Sequence, residues 1–271
     1  MWGNGFMKWA GGLLLVVGLG VSGIAATHAE SNAQFSGLAV QSSPDGKSRE
    51  AKLYVGDNQV RLEHGDDDQR VAEIFDMKHH RMMVLMPAQK VYMQRDLPAG
   101  PVPNPMLPPR DSNPCTGMPD AKCKKLGVET TLGRPVIKWE VTVEREGKTL
   151  HSLHWIDEQR HMSLRDVWPD GSVTESVMEG TESLQGRTVE RWRRTTSFPD
   201  GKNTTTTQWY DPQLQIAIRE ELPGGFFREI RDIRMATQPP ELFVVPPGYR
   251  RVESDDSALK RPPGPPGSET R

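Results

Sequence analysis

Hydrophobic and polar residues alternate along the segment Gly133-Arg-Pro-Val-Ile-Lys-Trp-Glu-Val-Thr-Val-Glu144. The alternation places one set of side chains on one face of a strand, namely Ile137, Trp139, Val141 and Val143. The polar side chains between them point to the other face. The pattern predicts a mostly β protein whose antiparallel sheet has one covered face and one face in water.

The same opening returns 53 residues later, where Gly186-Arg-Thr-Val-Glu-Arg-Trp192 follows the pattern of Gly133 to Trp139. The next matches, at an offset of 54, are Gly147-Lys148 with Gly201-Lys202, Trp155-Ile-Asp157 with Trp209-Tyr-Asp211, Leu164-Arg165 with Ile218-Arg219, Pro169 with Pro223, and Val173-Thr-Glu175 with Phe227-Arg-Glu229. Each unit predicts four strands. Because two units are fewer than a solenoid needs, we expect one strongly curved antiparallel sheet.

The first third of the chain predicts about six more strands. They fall at residues 35–41, 51–55, 59–63, 71–75, 82–86 and 90–94. Turn sequences such as Ser43-Pro-Asp-Gly46 separate them. These short segments are typical of an antiparallel meander.

Residues 96–127 interrupt the pattern with a proline-rich connector that cannot supply ladder donors. The connector carries the two cysteines, Cys115 and Cys123. In an oxidising compartment such a pair predicts a disulfide. A metal site is the alternative, but it would need further cysteine or histidine ligands nearby.

The sequence predicts a signal peptide at the N-terminal end of the chain and a disordered tail at the C-terminal end. Lys8, the apolar run 10–26 and Thr27-His-Ala29 are typical of a secretory signal peptide cleaved after residue 29. The alternative is an uncleaved N-terminal anchor. Residues 253–271, rich in proline and glycine, predict a disordered tail, which leaves 30–252 as one β domain in the periplasm.

The composition of the 271 residues excludes several classes of protein. Thirty-four basic and 36 acidic residues give a net charge of -2, so no electrostatic footprint for nucleic acid exists. A single long apolar run excludes a polytopic membrane protein, and no stable membrane span is expected after cleavage. The hydrophobic fraction of 35% is low, as expected for a sheet with one wet face and long polar ends.

Three features together resemble the periplasmic LolA/LolB-like superfamily of outer-membrane lipoprotein-sorting proteins. They are the strand series after the signal, Trp209-Tyr-Asp211 followed by Leu214-Gln-Ile-Ala-Ile-Arg219, and the closing Leu242-Phe-Val-Val-Pro-Pro-Gly-Tyr249. The resemblance covers roughly residues 35 to 252. It implies an open half-barrel, with short helical lid elements over a concave cavity that holds acyl chains or related hydrophobic ligands.

The sequence contains no nucleophile elbow, phosphate-binding loop or His-Glu-x-x-His helix. His151 and His154 are three apart on a predicted strand, so they face opposite sides and cannot chelate together. We therefore expect no enzyme, no cofactor and no metal.

A methionine cluster leaves a second interpretation open. Its members surround His79 and His80 and are Met77, Met82, Met83, Met86 and Met93. Thioether and imidazole ligands suit copper(I), whereas methionine is also an adaptable lining for an apolar surface. The repeat tryptophans carry a similar choice between packing within the sheet and lining a cavity.

The main functional prediction is a non-enzymatic periplasmic protein that binds a lipid or the acyl chain of a lipoprotein. The predicted cavity lining comprises Met83, Leu85, Trp139, Val141, Leu153, Trp155, Leu164, Trp192 and Trp209. The alternative is an envelope module that binds a protein partner or senses stress. The third hypothesis is a copper- or redox-linked accessory protein.

Overall fold

The computed structural model describes residues 33–66, 69–97, 112–118 and 120–253. The predicted signal peptide, residues 98–111 and 119 of the proline-rich connector, and the tail from residue 254 lie outside the described residues. Within them, no helix is long and apolar enough to cross a membrane.

The described residues form one antiparallel sheet of sixteen strands that does not close on itself. The strands are β1 (Phe35–Ser42), β2 (Ser48–Gly56), β3 (Gln59–His64), β4 (Val71–Asp76), β5 (Arg81–Met86), β6 (Val91–Asp96), β7 (Ala121–Thr131), β8 (Arg134–Arg145), β9 (Lys148–Asp157), β10 (Ser163–Val167), β11 (Val173–Leu184), β12 (Arg187–Ser197), β13 (Asn203–Asp211), β14 (Ile216–Glu221), β15 (Phe227–Met235) and β16 (Arg250–Arg251). Their order is β16-β6-β5-β4-β3-β2-β1-β15-β14-β13-β12-β11-β10-β9-β8-β7. All neighbours are antiparallel except β16 and β6. The curved open half-barrel predicted from the sequence is confirmed.

The internal repeat has a direct structural counterpart. The first unit is β8 to β11 and the second is β12 to β15, and each contains the four strands that the sequence predicts. The six strands predicted for the first third are β1 to β6, with ends that differ by a few residues. β1 pairs with β15, so the N-terminal strands continue the sheet beyond the second unit.

In each repeat unit an arginine pairs with a buried aspartate at one side of the sheet, where the ends of the strands lie. Arg134, at the start of β8, donates to Asp157, at the end of β9. Arg187 donates in the same way to Asp211 one unit later. Both carboxylates are almost fully buried and also accept backbone N–H groups of the following turn. The Gly-Arg and Trp-x-Asp sequences therefore recur because they build this turn.

The N-terminal strands carry a related pair at the same side of the sheet. Asp76, fully buried at the end of β4, accepts hydrogen bonds from Arg81 Nε at 2.9 Å and from the backbone of His79. Because strand directions alternate, β4, β9 and β13 all end at the same side of the sheet.

The Cys115–Cys123 disulfide is confirmed, with Cα atoms 5.9 Å apart. The prediction that the connector extends to residue 127 was wrong, because β7 begins at Ala121 and pairs with β8 along its length. β7 lacks a clear alternation because it is an edge strand that is largely exposed. The disulfide therefore links the connector to the edge strand β7.

Hydrophobic residues are buried on both sides of the sheet at the start of the first unit. Val136 and Ile137 are adjacent in β8 and point to opposite sides, yet both are buried. The expectation of one wet face therefore fails for this part of the sheet. The helical content is limited to short 3-10 turns in the described residues, of which Pro240–Phe243 packs its Phe243 against β4 and β5. This turn and the segment after it take the place of the expected helical lid.

Candidate functional site

Two neighbouring hairpin tips begin with an aromatic residue followed by Pro-Asp-Gly. Trp168-Pro-Asp-Gly171 joins β10 to β11, and Phe198-Pro-Asp-Gly201 joins β12 to β13. In each tip the glycine N–H donates to the aromatic residue's carbonyl at 3.0 Å, and the glycine takes a φ just above +80°. Glycine is favoured there because it adopts this region without steric cost. A Cβ on Gly171 would lie 3.5 Å from Pro199, so the two tips are adjacent.

A groove of about 680 Å³ lies beside these tips. Its apolar lining consists of Leu150, Trp168, Pro169 and Phe198. Its polar lining consists of Asp170, Ser172, Thr174, Arg194 and Thr196. Trp168 and Phe198 are 38% and 37% exposed. The volume lies in the range of small-molecule sites, whereas the open shape would leave much of a ligand in contact with water.

A chain of hydrogen bonds lies next to the groove. Ser152 Oγ is 2.8 Å from His154 Nε2, and His154 Nδ1 is 2.7 Å from Asp166 Oδ1. Ser152 and His154 share one side of β9, two residues apart, and Asp166 stands directly opposite His154 on β10. We call these three residues the relay.

The aspartate of the relay is held by two further donors. Ser163 donates to Asp166 Oδ1, and Arg194 Nη2 donates to Oδ2 at 2.7 Å. Asp166 is 2% exposed, whereas Arg194 also lines the groove. The relay therefore has a buried carboxylate end and a partly exposed hydroxyl end.

Trp168 connects the relay to the groove. Its ring meets the His154 ring edge-on, with centroids 5.3 Å apart. Its Nε1 donates to Thr174 at 3.1 Å, and Thr174 in turn bonds Thr196 at 2.9 Å. One side of Trp168 is thus packed against the histidine while the ring also forms the groove wall.

Trp139 lies directly opposite His154 on β8. Its Nε1 is buried and has no hydrogen-bond partner in the described structure. A buried donor without a partner costs about 1–3 kcal/mol. The sequence predicts Trp139 as a cavity residue, and the structure places it beside the relay.

The predicted lining residues Trp155 and Trp209 are buried under cations. The Nζ of Lys138 lies 4.8 Å from the Trp155 ring centroid, and the Nε1 of Trp155 donates to Glu129 at 2.8 Å. Arg191 covers Trp209 at 5.6 Å in the matching position of the second unit. These rings therefore pack within the sheet and do not face the groove.

The structure does not bring the nine predicted lining residues around one cavity. Trp155, Leu164 and Trp192 share one cluster, with Leu153 packed against it. The others are Met83 and Leu85, buried against Phe243, Trp209 in a further cluster, Val141, which is buried in β8, and Trp139, opposite His154. The groove has none of the nine in its lining.

The methionines of the copper hypothesis are also separated. Met77, Met83 and Met86 belong to three different clusters, and Met93 packs in the same cluster as Met86. His79 Nδ1 instead lies 2.8 Å from Asp76. Among the described residues, no three histidine, cysteine or carboxylate side chains are grouped as metal ligands.

A charged pair joins the two repeat units below the groove. Arg160, from the turn after β9, donates to Glu190 of β12 at 2.6 Å, and Trp192 Nε1 donates to the same carboxylate at 3.1 Å. Burial alone would raise the pKa of Glu190, but these hydrogen bonds hold that pKa below its ordinary value. Burial raises the pKa of the nearby Tyr210 to about 12, so this phenol stays neutral.

Known proteins share little sequence with this chain. No family model and no curated protein matches it. Similar solved structures include a LolA superfamily protein from Nitrosomonas europaea, with 10% identity over 79% of this chain and 91% of that chain and a TM-score of 0.35. Others are a DUF1329 family protein from Desulfovibrio piger (12%, 80% and 91%, 0.30) and a putative outer membrane lipoprotein-sorting domain from Vibrio parahaemolyticus (11%, 76% and 85%, 0.29). Two of these proteins carry names from the superfamily that the sequence resembles, whereas the fold of this chain is defined by its own sixteen-stranded sheet.

Sequence reasoning missed both the groove and the relay. The signal for the groove was the Pro-Asp-Gly triplet that follows Trp168 and returns after Phe198. The signal for the relay was a Ser-x-His pair on a strand, which shares a face by alternation. Asp166 could not be assigned, because its position opposite His154 depends on the register of β10.

Proposed function

We propose that this protein binds a hydrophobic ligand, a lipid or the acyl chain of a lipoprotein, in the groove beside the two aromatic tips, and that it does so in the cell envelope. The observation that carries the proposal is the pair of exposed aromatic side chains, Trp168 and Phe198, on a groove of about 680 Å³. Burying such rings against an acyl chain is favourable at about 25 cal/mol per Å² of apolar surface. The envelope location rests on the N-terminal segment predicted to be a signal peptide.

Arg194 adds a chemical preference to the groove. Its guanidinium is tied to Asp166 through Nη2, and its side chain is 32% exposed. A carboxylate or phosphate end of an amphiphile would pair with the exposed part of this group. The proposed ligand is therefore an acyl chain with an anionic or ester head.

Quenching by a brominated fatty acid tests this proposal. Dibromostearate added to the full chain should quench tryptophan fluorescence at micromolar concentration, because bromine quenches only rings that it contacts. Trp168→Phe should remove most of the quenching. Quenching that is unchanged by this substitution would place the ligand elsewhere.

A matched pair of substitutions provides the control. Phe198→Ser removes a groove aromatic, whereas Phe226→Ser removes an aromatic of similar exposure, 44%, from the tip between β14 and β15. We expect weaker dibromostearate binding only for the first variant. Equal losses in both would indicate non-specific adsorption.

A second candidate function, binding of an envelope protein, is favoured by the edge strand. Among the described strands β7 pairs only with β8, and it exposes Leu126 and Val128, with Leu132 just after it, at 43%, 59% and 57%. An open edge with exposed apolar side chains can accept a strand from a partner. A photo-crosslinker at position 128 tests this function in envelope preparations, with position 175 as the control. One discrete adduct from position 128 and none from position 175 would support it. Equal adducts from both positions would count against it.

A further inference from the structure

The relay has the connectivity that activates a serine hydroxyl. Ser152 Oγ meets Nε2 of His154 at 2.8 Å, and the opposite ring nitrogen meets Asp166 at 2.7 Å. In hydrolases a histidine accepts the serine proton at one nitrogen while a buried carboxylate orients the other. Both distances fall within the range of hydrogen bonds that can transfer a proton.

The hydrogen bonds around Asp166 fix the orientation of the histidine. Ser163 and Arg194 both donate to this carboxylate. In the neutral imidazole that carries its hydrogen on Nδ1, this nitrogen donates to Asp166 and Nε2 accepts from the Ser152 hydroxyl. This tautomer is the one in which a histidine can take a proton from a serine.

The relay adjoins the groove. Leu150 and Ser152 share a side of β9, and Trp168, just past the end of β10, meets the His154 ring edge-on. Leu150 and Trp168 both line the groove, and Ser152 is partly exposed. A ligand in the groove would therefore lie next to the relay.

Arg194 can stabilise negative charge near the relay. It lines the groove, its side chain is 32% exposed, and its Nη2 donates to the carboxylate of the relay. Donors directed at a developing oxyanion supply much of the rate enhancement in acyl transfer.

The second repeat unit shows that the fold does not require this chemistry. Gln208 and Glu220 occupy the positions of His154 and Asp166, and they are joined by a hydrogen bond of 2.6 Å. Thr206 stands where the first unit has Ser152. An amide satisfies the same structural position but cannot accept a proton from a hydroxyl.

We infer that Ser152 is a nucleophile that hydrolyses an acyl ester bound in the groove, an inference that rests on the proposed binding of an acyl ligand there. Ser152 Oγ attacks the carbonyl carbon while its proton passes to His154 Nε2. The alcohol leaves with that proton, and the acyl group stays on Ser152. Water then attacks the acyl-serine, gives a proton to His154, and releases the carboxylic acid as the proton returns to Ser152. This activity departs from the expectation of a non-enzymatic protein.

Labelling by a fluorophosphonate and hydrolysis of p-nitrophenyl butyrate test the inference on the full chain. The wild-type protein should react at Ser152, located by mass spectrometry of the labelled peptide. Ser152→Ala should remove the label, and His154→Gln, which copies the second unit, should slow both reactions about 100-fold or more. Thr206→Ala, in the matching position of the second unit, should react like wild type.

Asp166 is a positioning residue in this scheme. Asp166→Asn should lower kcat for p-nitrophenyl butyrate with little change in KM, whereas a purely structural loss would lower the amount of folded protein and leave kcat per folded molecule unchanged. An unlabelled wild-type protein, or a label that persists in Ser152→Ala, would overturn the inference.

The fluorescence experiment separates this inference from the proposed function. Quenching by dibromostearate together with an unlabelled Ser152 would leave the binding proposal intact and overturn the nucleophile. Labelling of Ser152 without quenching would support the nucleophile and reject the acyl-chain groove. Circular dichroism of each variant shows whether it has folded.

Discussion

The two repeat units, β8 to β11 and β12 to β15, differ in one polar cluster and share a set of contacts that we call the frame: the arginine–aspartate pair and the tryptophan covered by a cation. Both fasten an opening arginine to the aspartate of Trp-x-Asp and place a cation over the tryptophan. The positions that differ are Ser152, His154 and Asp166 in the first unit and Thr206, Gln208 and Glu220 in the second. The difference shows which residues the sheet needs and which it leaves free for chemistry.

The largest effect is expected from breaking the frame at either aspartate. Asp157→Ala and Asp211→Ala should each destabilise the protein by about 3–5 kcal/mol, since each removes the buried carboxylate that binds the arginine and the N–H groups of the following turn. Urea unfolding followed by circular dichroism measures the loss. Asp200→Ala, at an exposed hairpin tip, is the control and should change little. A large loss in only one of the two units would break the equivalence.

Removing the indole nitrogen should have an intermediate effect in both units. Trp155→Phe and Trp209→Phe lose the hydrogen bonds to Glu129 and Glu182 and weaken the cation contact, at about 1–2 kcal/mol each. A double-mutant cycle of Trp155→Phe with Lys138→Met measures the cation contribution. A coupling energy of zero would show that the cation lies over the ring without stabilising it.

A pH series tests the pair that joins the units. The pKa of Glu190 is held below its ordinary value, so its stabilising contribution is present above the unfolded pKa, about 4.3. The contribution is lost as the pH falls through the lower folded pKa. Glu190→Gln should therefore lose less stability than wild type between pH 6 and pH 3 in urea unfolding. Parallel losses would assign the acid sensitivity to other carboxylates.

The smallest effect on stability is expected at the relay. His154→Gln should change the unfolding free energy by less than about 1 kcal/mol, because an amide makes the equivalent bond in the second unit. The urea midpoint should stay close to that of wild type. A loss of several kcal/mol would mean that the histidine serves the fold.

The frame was predictable from the sequence because it is local and repeated. Gly-Arg and Trp-x-Asp mark turns whose hydrogen bonds lie within one unit, and alternation marks the strands between them. The two cysteines needed only their short spacing and an oxidising compartment. These signals gave the strand series, the curved sheet and the disulfide.

The site was not predictable because it depends on long-range contacts. Met83 and Leu85 look like cavity residues in the sequence, but Phe243, more than 150 residues later, packs against them. Trp155 was predicted as a cavity residue from its aromatic side chain, but its ring lies under Lys138 from the neighbouring strand. The start of β7 was missed because an exposed edge strand carries no hydrophobic alternation.

The pairing of β1 with β15 has a consequence for how the chain acquires its structure. Phe35 is aligned with Met235, a separation of 200 residues. Bringing such distant segments together costs about 5 kcal/mol of chain entropy before any contact repays it. Contacts of this range slow folding markedly. β1 therefore lacks its β15 partner until residue 235 has been made, whereas β1 to β6 can pair with one another before then.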